Sequence, residues 1–266
     1  MRNRLTDELA ICGFNAVVAA AEYNPENINR LFLREDRLKS LTGICKKLAE
    51  RKRPYKLCED DELEKICKST HHQGVVAMIY APELVPLTRP DLDDWAQKGF
   101  TGLVLHSVGN DHNLGAIIRS AAFFDVPLVI LSEGDPEAKL TTSAYRVAEG
   151  GMEHVKIRKV HDTAAFLRDA SRLLISIGAE SRARQRIRDI PEIIRNQEKQ
   201  LRSKPSSGNG SPGIALVLGN EETGLPPEVK EHCSVLVRIP GTGLMDSLNV
   251  SQAAALFLHE FYEMHA

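Results

Sequence analysis

The sequence predicts an α/β fold: a C-terminal domain on a mostly parallel sheet covered on both faces, preceded by a small α/β domain. Short, continuously apolar runs such as Gly102-Leu103-Val104-Leu105 and Ile214-Ala215-Leu216-Val217-Leu218 alternate with stretches of helical period. Several of these runs end in polar loops that contain glycine, the usual punctuation between strand and helix. The 266 residues are 42% hydrophobic and 26% charged, enough apolar material for a large core without disulfides or structural metals.

In the first domain, residues 14–21 are apolar and small, 29–33 read as a short strand, and 37–51 carry apolar residues at helical spacing with basic residues between them. The polar run Ser69-Thr70-His71-His72-Gln73-Gly74 precedes a strand over 75–80, and both histidines read as surface residues. This domain is expected to cover 1–81. Pro82, Pro86 and Pro90, followed by Asp91, Asp93 and Asp94, then read as a linker over 82–99 that runs into a short helix. The second domain covers 100–266. It is expected to hold strands at 102–106, 127–131, 155–157, 173–177, 214–218 and 235–239, and helices at 113–124, 141–149 and 248–262.

One segment breaks that rhythm. Residues 181–204 contain Arg182, Arg184, Arg186, Arg188, Arg195, Lys199, Arg202 and Lys204 against Asp189, Glu192 and Glu198, and a Pro/Ser/Gly-rich loop continues to Gly213. This basic insertion at about 181–213 reads either as a solvated excursion or as an arm for phosphates, since clustered arginines make bidentate phosphate contacts.

Several classes of protein are excluded. No apolar run approaches the roughly 18 residues of a membrane span, and MRNRLTDELA is too polar for a secretory signal. The five cysteines, Cys12, Cys45, Cys58, Cys67 and Cys233, form no C-x-x-C pair, so a reduced, cytoplasmic setting is expected, with thiols packed as small hydrophobes. A net charge of −2 means that nucleic-acid binding would depend on local patches. No Ser-His-Asp, Cys-His or metal-ligand spacing emerges.

Three loops are candidate sites, because ligands of open α/β sheets bind beyond the carboxyl ends of the strands. The first runs from Gly109 to Ser120; Asn113 reads as a helix cap, Gly115 as a point of close backbone approach, and Arg119 sits among apolar helix neighbours, where it needs a partner or a cleft. The second, Gly219-Asn220-Glu221-Glu222-Thr223-Gly224-Leu225-Pro226, holds carboxylates between two glycines. The third, Ile239-Pro240-Gly241-Thr242-Gly243-Leu244-Met245-Asp246-Ser247-Leu248-Asn249-Val250-Ser251, fails the dinucleotide fingerprint because Asp246 stands where the third glycine belongs. That failure argues against a nicotinamide-dependent oxidoreductase.

Taken together, Asn113-x-Gly115-x-x-x-Arg119, Leu218-Gly219-Asn220-Glu221-x-x-Gly224-Leu225, and Ile239-Pro240 followed by Ser247-Leu248-Asn249-Val250-Ser251 resemble the three motifs of the SpoU (TrmH-like) RNA 2′-O-ribose methyltransferases of the SPOUT superfamily. The stretch 147–155 is similar to the family's linking segment, and the N-terminal part to its RNA substrate-binding domain. The resemblance implies a C-terminal domain with a deep trefoil knot, S-adenosyl-L-methionine as cofactor, RNA (ribosomal more than transfer) as substrate, and a homodimer with the active site at the subunit interface. It implies that Gly219, Ile239 and Leu248 contact the cofactor, with Asn220, Gly241 and Asn249 in the same set. It places Arg119, Asn113, Glu221, Ser247 and Asn249 in the catalytic machinery. Arg119 would assist loss of the hydroxyl proton, either as a base or by stabilising the alkoxide electrostatically. Gly241 replaces the family's common Met, Glu222 replaces a Gly, and the basic stretch is longer than usual. The alternative is a non-catalytic RNA-binding or ribosome-assembly factor on the same fold.

Overall fold

The computed structural model describes residues 2–3, 7–133, 139–202 and 212–264. The elements run β1 (Arg2–Asn3), β2 (Glu8–Cys12), α1 (Phe14–Tyr23), β3 (Ile28–Leu33), α2 (Glu35–Glu50), β4 (Tyr55–Leu57), α3 (Asp60–Cys67), β5 (Val75–Tyr80), α4 (Arg89–Lys98), β6 (Thr101–Leu105), α5 (Asp111–Phe123) and β7 (Leu128–Ser132). They continue with α6 (Thr142–Ala148), β8 (Lys156–Val160), α7 (Thr163–Ala170), β9 (Leu174–Ala179), β10 (Gln185–Arg186), α8 (Ile190–Arg202), β11 (Gly213–Leu218), α9 (Pro227–His232), β12 (Val235–Arg238) and α10 (Val250–Glu263). No described helix is long and apolar enough to cross a membrane.

Two compact units form, and neither is one continuous piece of chain. One comprises Met1–Glu83, Leu114–Arg119 and Lys139–His154; the other comprises Leu84–Asn113, Ser120–Ala138 and Val155–Ala266.

In the first unit a five-stranded sheet has the order β1-β2-β5-β3-β4, with only the β3–β4 pair parallel. The face toward α3 is closed by Ala10, Cys12, Cys58, Leu63, Cys67, Val76 and Met78, with Phe32 and Ile66 against them. The thiols thus serve as small core groups. The segment Lys139–His154 docks on this unit: Thr142 donates its hydroxyl to the Ala10 carbonyl at 2.6 Å, Asn15 donates to Glu149 at 2.6 Å, and Asn24 to Glu153 at 2.7 Å. Gly150 has φ +95°, and a Cβ there would stand 2.8 Å from the Ala19 Cβ. His72, expected at the surface, is buried, because its Nδ1 accepts the Gly74 amide at 3.1 Å and closes the turn before β5.

The second unit is built on a seven-stranded sheet of order β10-β12-β9-β11-β6-β7-β8, parallel throughout. Trp95 of α4, Leu167 and Ala170 of α7 and Val229 of α9 pack on one face with Val104, Ala215, Val217 and Ile130. Helices α8 and α10 pack on β9 and β11. Trp95 lies inside the stretch expected as linker, yet it is fully buried and donates its indole N–H to the Phe100 carbonyl at 2.9 Å. Room for the ring comes from two glycines on adjacent strands: a Cβ on Gly102 or Gly213 would lie 2.5 or 2.7 Å from it.

The basic insertion is corrected by the structure over its described part. Residues 185–186 form strand β10, and α8 buries Ile190, Ile193 and Ile194 at helical spacing while Glu192, Arg195 and Lys199 are exposed. It is therefore neither a wholly solvated excursion nor a free arm. Most of the Pro/Ser/Gly-rich loop, 203–211, lies outside the described residues.

Candidate active site

Strands β6, β11 and β12 run in the same direction with β9 among them, so the three motif loops leave from one end of the sheet. That is the carboxyl end, where side chains from different loops can converge.

The first loop is pinned before the helix begins. Ser107 adopts φ +54°, donates its amide to the Ser132 hydroxyl at 2.9 Å, and accepts the Asn220 side-chain amide at 2.9 Å. Asn110, not Asn113, caps α5: its Oδ1 accepts the amides of His112 at 2.8 Å and Asn113 at 3.4 Å. With the cap supplied three residues earlier, the Asn113 side chain is released for other bonds. Gly115 behaves as its spacing implied, since a Cβ there would stand 2.5 Å from the Ala144 backbone oxygen.

The second loop folds around Asn220. Its Oδ1 accepts the amides of Glu222 at 2.9 Å and Thr223 at 3.1 Å, and its carbonyl accepts the Gly224 amide at 2.9 Å. Gly219 is packed so closely under this turn that a Cβ would lie 2.4 Å from the Gly224 carbonyl carbon. Glu221 is held at the tip, half-buried.

The third loop ends at Asn249, which is the N-cap of α10 rather than a first-turn residue. Its Oδ1 accepts the Ser251 amide at 2.8 Å and the Ser251 hydroxyl at 2.6 Å.

These loops meet through three side chains. Asn113 donates its Nδ2 to Glu221 Oε1 at 2.6 Å and accepts from Asn249 Nδ2 at 3.0 Å on its Oδ1. The chain Ser251–Asn249–Asn113–Glu221 has one direction, with the carboxylate as final acceptor. Each amide nitrogen keeps a second N–H, and Glu221 keeps its second oxygen, so the cluster presents donors and an acceptor to a ligand. Of the other expected residues, Ile239 is half-buried, while Gly241, Ser247 and Leu248 are exposed. Nothing stands within 4 Å of a Cβ built on Gly241. Arg119, expected to need a partner among apolar neighbours, is exposed and makes no ion pair or hydrogen bond among the described residues. The supporting roles of Ser107, Ser132 and Asn110 carry no signal in the sequence beyond their polarity in a turn.

Residues 101–259 match the SpoU rRNA Methylase family, and residues 10–85 match RNA 2′-O ribose methyltransferase substrate binding. The chain belongs to the SpoU rRNA methylase family. The SpoU resemblance of the three motifs is thereby shown, and the chain is an RNA methyltransferase by family. It is 34% identical to the 23S rRNA (guanosine-2′-O-)-methyltransferase RlmB of Acinetobacter baylyi over 93% of this chain and 94% of that protein. The protein of the same name from Nitrosomonas europaea is 29% identical over 98% of this chain and 94% of its own length. Among solved structures, the AdoMet-bound rRNA methyltransferase of Sinorhizobium meliloti aligns with TM-score 0.73 at 22% identity, covering 97% of this chain and 88% of that one. The SpoU methyltransferase AviRb of Streptomyces viridochromogenes with AdoMet aligns with TM-score 0.70 at 20% identity, covering 99% and 94%. At these identities the structural likeness speaks to the fold alone: an α/β domain on a mostly parallel sheet with a small N-terminal α/β domain.

Proposed function

We propose that this chain methylates the 2′-hydroxyl of a guanosine ribose in 23S ribosomal RNA, using S-adenosyl-L-methionine, as a cytoplasmic homodimer. The substrate in this reading is carried by the likeness to the 23S rRNA (guanosine-2′-O-)-methyltransferases over most of the chain, and its site by the Glu221–Asn113–Asn249 hydrogen-bond chain joining the three motif loops at one end of the sheet. The neighbouring third loop suits the cofactor. Gly241 has open space around it, and the exposed apolar Leu244, Met245 and Leu248 beside it suit the adenine ring and the aliphatic part of a sulfonium chain.

Bound there, S-adenosyl-L-methionine supplies the electrophilic methyl group. Gly219, Asn220, Ile239, Gly241 and Leu248 hold it, chiefly through backbone groups. Asn113 and Asn249 orient the ribose with their remaining N–H groups, while Glu221 fixes the amide of Asn113. Ser247 adds a hydroxyl beside them. Arg119 stabilises the alkoxide that develops as the 2′-hydroxyl passes its proton to solvent water. Alignment of nucleophile and methyl group supplies much of the rate.

Residues 1–81 contribute the RNA-binding domain of this proposal, and the C-terminal segments carry the family's trefoil knot. The homodimer is supported by exposed aromatic side chains grouped around Phe124: Phe123, 78% exposed, and Tyr262, about half exposed, have ring centroids 5.0 and 5.9 Å from its ring. Such a patch is characteristic of a protein interface. An active site at the subunit boundary is part of the same proposal and rests on the family resemblance.

The test offers labelled S-adenosyl-L-methionine with separate 23S ribosomal and transfer RNA, followed by complete nuclease digestion. Label recovered as 2′-O-methylguanosine from 23S RNA is expected. Label on a base, or in transfer RNA alone, contradicts the reading.

A further inference from the structure

Strand β10 forms one edge of the seven-stranded sheet and pairs in parallel with β12, setting Gln185 opposite Val237 and Arg186 opposite Arg238. Side chains opposite each other on neighbouring strands project to the same face, and like charges placed that way repel. Arg238 is the last residue of β12, immediately before the Ile239-Pro240 turn of the third motif. Arg182, Arg184 and Arg188 are exposed on the same edge segment.

The nearby carboxylates are otherwise engaged. Asp189 accepts the Arg186 backbone amide at 2.8 Å and lies 3.8 Å from Arg188 Nε. Glu180 pairs with Lys230 and accepts the Arg182 backbone amide at 3.2 Å. Among the described residues, no carboxylate reaches the guanidinium of Arg186 or Arg238, and the buried Nε of Arg238 has no hydrogen-bond partner. Facing guanidinium groups with no carboxylate between them call for an anion with several acceptor oxygens, and guanidinium forks match phosphate in that way.

We propose that Arg186 and Arg238 form a phosphate site for the RNA backbone beside the nucleotide being methylated. The position, at the carboxyl end of β12, is where open sheets take ligands. The additional exposed arginines suit a polyanion better than the single carboxylate of a cofactor. This inference rests on the RNA-methyltransferase reading above.

The test uses the full chain as wild type, Arg186→Gln, and the double variant Arg186→Gln/Arg238→Gln. It measures the salt dependence of RNA binding, the RNA KM and kcat, and S-adenosyl-L-methionine affinity by calorimetry. Loss of one phosphate contact reduces the magnitude of the negative slope of log K against log salt by about 0.7 to 0.9. The RNA KM should rise about tenfold in the double variant, with cofactor affinity within twofold of wild type. An unchanged slope and KM would overturn the proposal. Weakened cofactor binding with an unchanged RNA slope would overturn it too, by assigning the pair to the cofactor carboxylate. Arg186→Gln leaves Arg238 in place and carries the test if the double variant is unstable. Failure of the wild type to transfer methyl groups would count against the enzymatic reading instead, while the binding slopes would still judge the phosphate site.

Discussion

Asn249 donates its side-chain amide to the Asn113 carbonyl oxygen at 3.0 Å, so one hydrogen bond ties the start of α10 to the start of α5. The same Asn249 caps its own helix through Ser251. One residue therefore has a structural duty and a positioning duty, and substitutions can separate them.

Asn249→Ser retains a capping oxygen but removes the amide. Its thermal stability should stay near wild type, whereas methyl transfer should fall at least 100-fold, on the order expected for loss of one preorganised donor. Asn249→Ala should lose the same activity and also about 1 kcal/mol of stability. Thermal melts beside transfer assays check both, and an active Asn249→Ser would remove the amide from the mechanism.

Gly115→Ala should destabilise the protein by about 1–3 kcal/mol, as expected when an added methyl overpacks a filled space. The intruding Cβ would meet the Ala144 carbonyl oxygen and the Val147 side chain, and the oxygen is backbone that cannot rotate away. Denaturant titration measures the loss.

Trp95→Ala should lose about 3–5 kcal/mol, the range for truncating a buried aromatic. The ring fills the space left by Gly102 and Gly213 and stacks on Phe100 with centroids 5.9 Å apart. A smaller loss, seen in chemical denaturation, would show that the neighbouring α7 collapses into the gap.

Asp91 gives the pH prediction. Burial pushes its carboxyl up, but hydrogen bonds from Thr88, from Arg158 at 2.9 Å and from Lys156 at 3.1 Å outweigh that and hold it below the ordinary carboxylate range. A depressed folded value means that this stabilisation is present above the unfolded value, near 3.9, and is lost as pH falls through the folded one. Asp91→Asn should be less stable than wild type by about 2 kcal/mol at pH 7, and the gap should narrow below about pH 4. Melting both proteins from pH 3 to 8 measures it.

The parallel strands were legible because strands buried on both faces become unbroken apolar runs, as at 214–218. β2 was not, because Glu8-Leu9-Ala10-Ile11-Cys12 mixes a charge and small residues into a fully buried strand; Glu8 is accommodated there by Asn29 and Arg30. Helix α8 was hidden by its charge, although Ile190, Ile193 and Ile194 follow helical spacing. Within the site, motif spacing pointed to Asn113, Glu221 and Asn249, but their mutual bonds depend on loops brought together by the sheet. The Arg186–Arg238 pairing is a matter of strand register between distant segments, which no local pattern encodes.

The most direct measurement compares wild type with Arg119→Ala, using methyl-labelled S-adenosyl-L-methionine and ribosomal RNA, and reads label retained in alkali-resistant dinucleotides. Because Arg119 is exposed and unpaired among the described residues, its removal should leave the melting temperature and cofactor binding intact. The account predicts alkali-resistant label with wild type and its loss with the variant. Equal label from both proteins, or label only in alkali-labile products, would contradict it.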